Sequence, residues 1–398
     1  MASILLALLL APLPQGPADP GPHLVGIRDL DAVDQRFGQG AVDCRIYYPA
    51  TVAGFDTPAD PSGGPYDTVN MMHGFLGSAD GLDDLSSHIA SWGFVVISTD
   101  TNRGFFPDTA DYARDSRALL WWVEDQAQDP QSFLSGMVAP GGDWAAVGHS
   151  MGGGTLGELV GIESRVRTII GLQAADNRIG EANIDLYDGS SYWIAGSVDF
   201  IVRPSTVRDW YVQAADRGLR DTYFLVEGMG HTGPLDNPPN NEPLPGAEQA
   251  REHRRLVGGL IRMEIRDEYE LAEELFSESI PGDPTSRECA NFEPVVWARP
   301  DAPGTTLIAL GGAGRQFGGM AFAWSPAPAQ QSTRFGLLGI DAAQALQVAQ
   351  GPGGSSGVLE PPAVVAAGSS GTTLYVTALA VGAGRSARLG NTVAVAVP

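Results

Sequence analysis

Residues 148–152 read Gly148-His149-Ser150-Met151-Gly152, a serine held between two glycines. They follow the apolar run Trp144-Ala145-Ala146-Val147, which has the character of a buried strand. A serine at a sharp strand-to-helix turn is strained so that its hydroxyl stands clear of the backbone. Its neighbours must be small, because a Cβ would collide with nearby main chain. That setting suits a nucleophile, and the chemistry it suggests is cleavage of an ester-like bond. A glycine-rich turn that merely contains a serine is the competing interpretation, so the rest of the chain must decide.

A nucleophilic serine needs a base to take its proton and a carboxylate to orient that base. On strand-turn-helix scaffolds of this kind the order along the chain is serine, then acid, then histidine. Of six histidines, His23 and His73 come too early, His88 lies in a helical segment and His149 is inside the turn. His253 sits in the charged stretch Arg251-Glu252-His253-Arg254-Arg255 and is expected to be solvated. His231 remains, in Gly228-Met229-Gly230-His231-Thr232-Gly233, just after the strand ending at Val226. The acid should follow the preceding strand, where Ser197-Val198-Asp199 makes Asp199 the first candidate. Asp176 and Glu227 are its alternatives, and Asp209 is expected to face solvent on a helix.

The tetrahedral intermediate carries an oxyanion, which requires N–H donors already in place. One is expected from Met151, at the start of the next helix, where the helix dipole adds to it. The other is expected from Phe75, in the loop His73-Gly74-Phe75-Leu76-Gly77 after the strand 68–72. Phe75 and Met151 would then also line the substrate cleft. No metal or organic cofactor is needed for this chemistry.

The elements that would position these groups alternate between strand and helix from His23 to about Gly258. Strand-like runs fall at 44–48, 68–72, 94–98, 145–148, 168–172, 192–195 and 223–226, with helical segments at 80–92, 110–128, 153–163, 204–217 and 247–265. Several strands are continuously apolar, as in a parallel sheet covered on both faces. This predicts an α/β fold built on a mostly parallel, doubly wound sheet. After about Arg266 the character changes. An acidic, helix-compatible segment is followed by a Pro/Gly/Asp-rich connector, and from Ala302 the chain is rich in Gly, Ala, Val and Thr with few charges. Runs at 305–310, 333–338, 372–380 and 392–397 predict a small all-β C-terminal domain. The expected division is a signal peptide or N-terminal arm over 1–19, a catalytic domain over 20–278, a linker over 279–301 and a β-rich accessory domain over 302–398.

The chain has 398 residues and a formal net charge of −23, and every basic side chain is an arginine. So acidic a surface repels phosphate backbones and argues against nucleic acid as a partner. The apolar run 4–13 is too short to span a bilayer and resembles the apolar core of a secretory signal, though no basic residue precedes it. Export is therefore expected, without a transmembrane segment, and the partner is expected to be an ester substrate met by a monomer. Cys44 and Cys289 are the only cysteines. In an exported chain they could form one disulfide, or they are two unrelated buried thiols.

Three stretches together resemble the bacterial polyester hydrolase and cutinase family, which includes enzymes acting on poly(ethylene terephthalate). They are His73-Gly74-Phe75, the run 90–102 (ASWGFVVISTDTN) and Gly148-His149-Ser150-Met151-Gly152-Gly153-Gly154. More distantly the chain is similar to dienelactone hydrolases and platelet-activating-factor acetylhydrolases. The resemblance runs from about Val25 to Gly258. It implies an α/β-hydrolase fold, a Ser150, Asp199 and His231 triad, and an oxyanion hole from Phe75 and Met151. The family usually has a tryptophan after the strand that follows the nucleophile helix. Here that stretch reads Gln173-Ala174-Ala175-Asp176-Asn177, which implies weaker or different aryl binding.

Overall fold

The computed structural model describes residues 16–216, 220–276 and 282–290 in full, and the backbone of further strands between 295 and 396. Residues 1–15, and with them most of the expected signal segment, lie outside the described residues.

The chain opens with a long hairpin, β1 (Leu24–Val33) against β2 (Ala41–Ala50), and a two-residue strand β3 (Gly54–Phe55) beside β1. The alternation proper begins with β4 (Asp67–Met72), α1 (Asp83–Ser91), β5 (Phe94–Thr99) and α2 (Thr109–Gln128). It continues through β6 (Trp144–His149), α3 (Met151–Ile162), β7 (Val166–Leu172), α4 (Arg178–Ile184) and β8 (Ser190–Gly196). Then come α5 (Pro204–Asp216), β9 (Arg220–Val226) and a C-terminal helix. That helix is α6 (Gly246–His253) and α7 (Gly259–Arg266), joined by the π-helical turn Arg254–Gly258. A short α8 (Ala272–Phe276) precedes β10 (Thr285–Ala290).

These strands form one ten-stranded sheet in the order β10-β9-β8-β7-β6-β4-β5-β2-β1-β3. The six central strands from β9 to β5 are parallel, while β2 and β10 flank them antiparallel. This is the α/β-hydrolase architecture. The sequence of β6 explains its central place. Trp144 and Ala146 enter the core on one face with Leu119 of α2, Leu156 of α3 and Val207 of α5. Ala145 and Val147 enter the core on the other with Leu85 of α1, Leu260 of α7 and Leu275 of α8. A strand covered on both sides loses the period-two alternation and reads as a continuous apolar run. Aromatic stacking ties α5 to the sheet, with Trp210 lying over Trp193 of β8 at 5.1 Å and 14°.

Three expectations change here. The span 279–301 was read as a linker, yet β10 lies inside it and closes the sheet against β9. Its alternation is hidden because one inward residue is an arginine. Arg287 is buried in an ion-pair cluster with Asp283, which also meets Arg255 and through it Glu252. His253, expected to be solvated, is buried with its Nδ1 2.9 Å from the carbonyl of Gln249. The charges around it misled, because Glu252 and Arg255 are themselves buried as a pair. Cys44 and Cys289 are both buried thiols. They sit on β2 and β10, seven strands apart in the sheet order, or about 34 Å at the usual strand spacing. A disulfide needs Cα atoms within about 7 Å, so this pair does not form one.

Beyond β10, described strands pair antiparallel into a three-stranded, a four-stranded and a two-stranded sheet. The expected run 333–338 is divided between a strand ending at Thr333 and its partner starting at Gly336. The side chains and connections of this part lie outside the described residues. Among the described residues no helix is long and apolar enough to cross a membrane.

One buried acid makes the fold's stability depend on pH. Asp221 of β9 is wholly enclosed and accepts a hydrogen bond from Ser191 Oγ at 2.7 Å. Burial pushes its pKa well above the ordinary value near 3.8, against a smaller opposing effect of Ser191 and Trp193. The folded protein therefore keeps a proton that the unfolded chain loses once pH rises past that ordinary value. The contribution of Asp221 to stability therefore falls with rising pH, by about 1.4 kcal/mol per unit, until the folded carboxyl ionises too. Replacing Asp221 with Asn should remove this slope. In urea titrations the variant should gain on wild type from pH 4 upward, and parallel curves would contradict the assignment.

Candidate active site

Ser150 occupies the single residue between β6 and α3, with φ 52° and ψ −113°. This is a glycine-type conformation that costs a side-chain-bearing residue about 1–3 kcal/mol. The surroundings hold it there. Its N–H donates to Leu172 O at 2.9 Å, and its carbonyl accepts from Gly154 N and Ala175 N. Room for the turn comes from Gly152, where a Cβ would stand 2.5 Å from Met72 O. The strain predicts that Ser150→Gly is more stable than Ser150→Ala, by about 1 kcal/mol. Equal melting temperatures of the two variants would show that the turn is relaxed.

The loop after β9 brings His231 over the C-terminal edge of the sheet. The Nε2 atom of His231 lies 2.9 Å from Ser150 Oγ, and Nδ1 lies 2.8 Å from Asp199 Oδ2. A carboxylate only accepts, so Nδ1 carries the hydrogen and Nε2 is free to accept from the serine hydroxyl. Asp199, in the loop after β8, is fixed in turn. Its Oδ1 accepts from Ile201 N at 2.8 Å and Val202 N at 2.9 Å. The carboxylate is fully shielded from solvent and the imidazole nearly so. Asp176 and Glu227, the alternative acids, are both exposed, and Asp209 faces solvent on α5.

The base loop is anchored at several points. Met229 O accepts from Val198 N, Gly228 N donates to Ser197 Oγ, and Leu244 N donates to Gly228 O. Two further anchors carry no legible mark in the sequence. Glu242 Oε2 accepts from Gly230 N at 2.7 Å, directly before the histidine, and also from Gln249 Nε2 at 3.0 Å. His149 Nε2–H donates to His231 O at 2.9 Å, and the two rings pack at 4.9 Å. Burial, then the neighbouring His231, pushes the pKa of His149 down to about 3. It therefore stays neutral and keeps the one ring hydrogen that this contact needs.

The expected oxyanion donors lie on either side of the serine. Met151 is the first residue of α3, and Phe75 sits in the turn closed by Gly77 N to Gly74 O at 2.9 Å. Neither N–H finds an acceptor among the described residues. Gly74 lets this turn come close, since a Cβ there would be 3.1 Å from Ser150 Cβ and 2.9 Å from His149 Nδ1. The ring of His73 lies between the carbonyls of Gly74 and Thr101, 2.8 Å from each, and the backbone N–H of His73 donates to Tyr112 Oη at 2.7 Å. His73 thus shapes the turn. His88 is likewise tied down elsewhere, to Pro17 O at 2.9 Å.

In place of an aromatic, the loop after β7 presents Ala174 and Ala175. They are packed against the glycines of α3, where a Cβ at Gly153 would meet Ala174 Cα at 2.8 Å.

Comparison with known proteins bears on this arrangement. The family described as PETase: PET hydrolase-like matches residues 17–223, just over half of the chain, a span that includes Ser150 and Asp199 and ends before His231. Chlorophyllase-2 of Arabidopsis thaliana is 28% identical over 120 residues, which cover 28% of this chain and 37% of that protein. This chain therefore spans little more than a third of the length of that curated relative. The sheet, the strained serine turn and the family match agree, and the chain belongs to the PET hydrolase-like family.

Proposed function

We propose that the protein is a serine carboxylic-ester hydrolase of the cutinase and polyester hydrolase type. The observation that carries this reading is the unbroken hydrogen-bond line from Asp199 through His231 to Ser150. Ser150 Oγ attacks the ester carbonyl while its proton passes to His231 Nε2. Asp199 stabilises the imidazolium and keeps the ring in the tautomer that accepts at Nε2. The negative charge that develops on the carbonyl oxygen meets the N–H groups of Phe75 and Met151. Collapse expels the alcohol, which takes the proton from His231, and leaves an acyl group on Ser150. Water, activated by the same imidazole, then releases the acid. An exported enzyme with the C-terminal β-rich part as an accessory domain completes the reading.

A panel of p-nitrophenyl esters from acetate to long acyl chains, together with an amorphous polyester film, tests it. Turnover of at least part of the panel, lost in Ser150→Ala, is the expected outcome. Release of soluble products from the film would extend the reading to polyesters, and preference for acetate with no film attack would restrict it to small acyl groups. A folded protein that hydrolyses none of them would overturn it.

A further inference from the structure

Six large apolar side chains, each at least 48% exposed, stand on three loops that leave the same edge of the sheet as Ser150. Phe75 and Leu76 follow β4, Phe105 and Phe106 follow β5, and Phe200 and Ile201 follow β8. In the sheet order β8-β7-β6-β4-β5, the nucleophile strand β6 lies in the middle. The two outer loops are four strands apart, about 19 Å at the usual spacing. Phe106 is 98% exposed, Phe200 85% and Phe105 75%. Scattered exposed apolar residues need no explanation, but a set of this size gathered around a cleft marks an interaction surface.

We infer that this rim docks the enzyme on the surface of an uncharged, fluid ester-lipid phase. The inference rests on the proposed esterase activity and names the physical state of its substrate. Three observations favour this occupant. Ser150 lies within the ring of loops, so whatever covers the rim is presented to the nucleophile. Ser150 is only 8% exposed while the flanking rings project almost fully. A flat, rigid face would meet the tips of the rings and stay clear of the serine. A fluid acyl phase lets the rings sink in and brings ester groups down to it. Finally, the three loops carry Arg103 and Arg203 against Asp100 and Asp108, with Asp199 shielded from solvent, so the rim has no excess charge of either sign on a chain of net charge −23. A rim without excess positive charge has nothing to draw it to anionic lipid, which the acidic chain as a whole repels.

Flotation of the full-length protein with lipid droplets tests this. Triolein droplets coated with phosphatidylcholine should carry the enzyme up, and droplets coated with phosphatidylserine should carry much less. The double variant Phe105→Ser/Phe106→Ser should bind the neutral droplets about tenfold more weakly or worse, given the apolar area removed. Phe200→Ser should act in the same direction from the opposite loop. Phe55→Ser, which removes a 57% exposed ring on β3 at the far edge of the sheet, should not change binding. Turnover of soluble p-nitrophenyl acetate should survive in the Phe105/Phe106 double variant. Absence of flotation, equal binding by the rim variants, or stronger binding to the anionic droplets would overturn the inference. So would adsorption to a polyester film without adsorption to droplets. Loss of p-nitrophenyl acetate turnover in wild type would instead sink the esterase reading itself.

Discussion

Exchange of Ser150 for alanine is expected to lower the kcat for a soluble p-nitrophenyl ester by about a millionfold, the scale seen when a triad nucleophile is removed. Among the described residues, the hydroxyl is the only group that His231 Nε2 faces at hydrogen-bond distance, 2.9 Å away. Alanine keeps the backbone bonds of the turn to Leu172, Gly154 and Ala175, which do not involve the side chain. The variant should therefore fold and bind substrate, with KM little changed. A few orders of magnitude above the uncatalysed rate should persist, supplied by the N–H donors and by binding. A Ser150→Ala protein that retains a tenth of wild-type turnover would place the nucleophile elsewhere.

Asp199→Asn should cost about 10⁴-fold in kcat while leaving the geometry in place. The reason lies in how Asp199 is held. Its Oδ1 accepts from the N–H groups of Ile201 and Val202. An asparagine must keep its oxygen there, because an NH2 group facing two N–H donors would leave all of them unpaired. Its NH2 is then turned toward His231 Nδ1, which can pair with it only as an acceptor. That forces the ring hydrogen onto Nε2, and the base can no longer take the proton of Ser150. The check is the kinetics of purified, folded Asp199→Asn. A fall of tenfold or less would mean that the carboxylate does not set the tautomer.

Much of this site was legible because chemistry constrains residue type and order. A strained serine between small residues, an acid after one strand and a histidine after the next follow from strand-loop positions that apolar runs mark well. Positions 150, 199 and 231 are each preceded by a strand that is buried on both faces, namely β6, β8 and β9. Continuous burial leaves the clearest trace in sequence. The edges of the sheet were less readable. The half-exposed β1 carries Arg28, Asp29 and Asp31 among its apolar residues, and β10 buries Arg287 where an aliphatic residue would have announced a strand.

Long-range partners left even less trace. Glu242 sits in the Pro- and Asn-rich loop after the histidine, and nothing in its neighbourhood says that it takes the N–H of Gly230. His149 could be placed in the turn, but its bond to the carbonyl of His231 depends on a chain crossing 82 residues later. The cysteines show the same limit from the other side. Two cysteines in a chain expected to be exported invite pairing, and only the strand order separates Cys44 from Cys289. The signal in each case is tertiary, and spacing along a single chain does not contain it.

The central claim is that Ser150 is an activated nucleophile. Reaction of the purified protein with a fluorophosphonate, followed by intact-mass measurement and peptide mapping, tests it most directly. The account predicts one adduct per chain, located on Ser150 and absent from Ser150→Ala. A folded, monodisperse protein that takes up no probe, or takes it up at another residue, would contradict it.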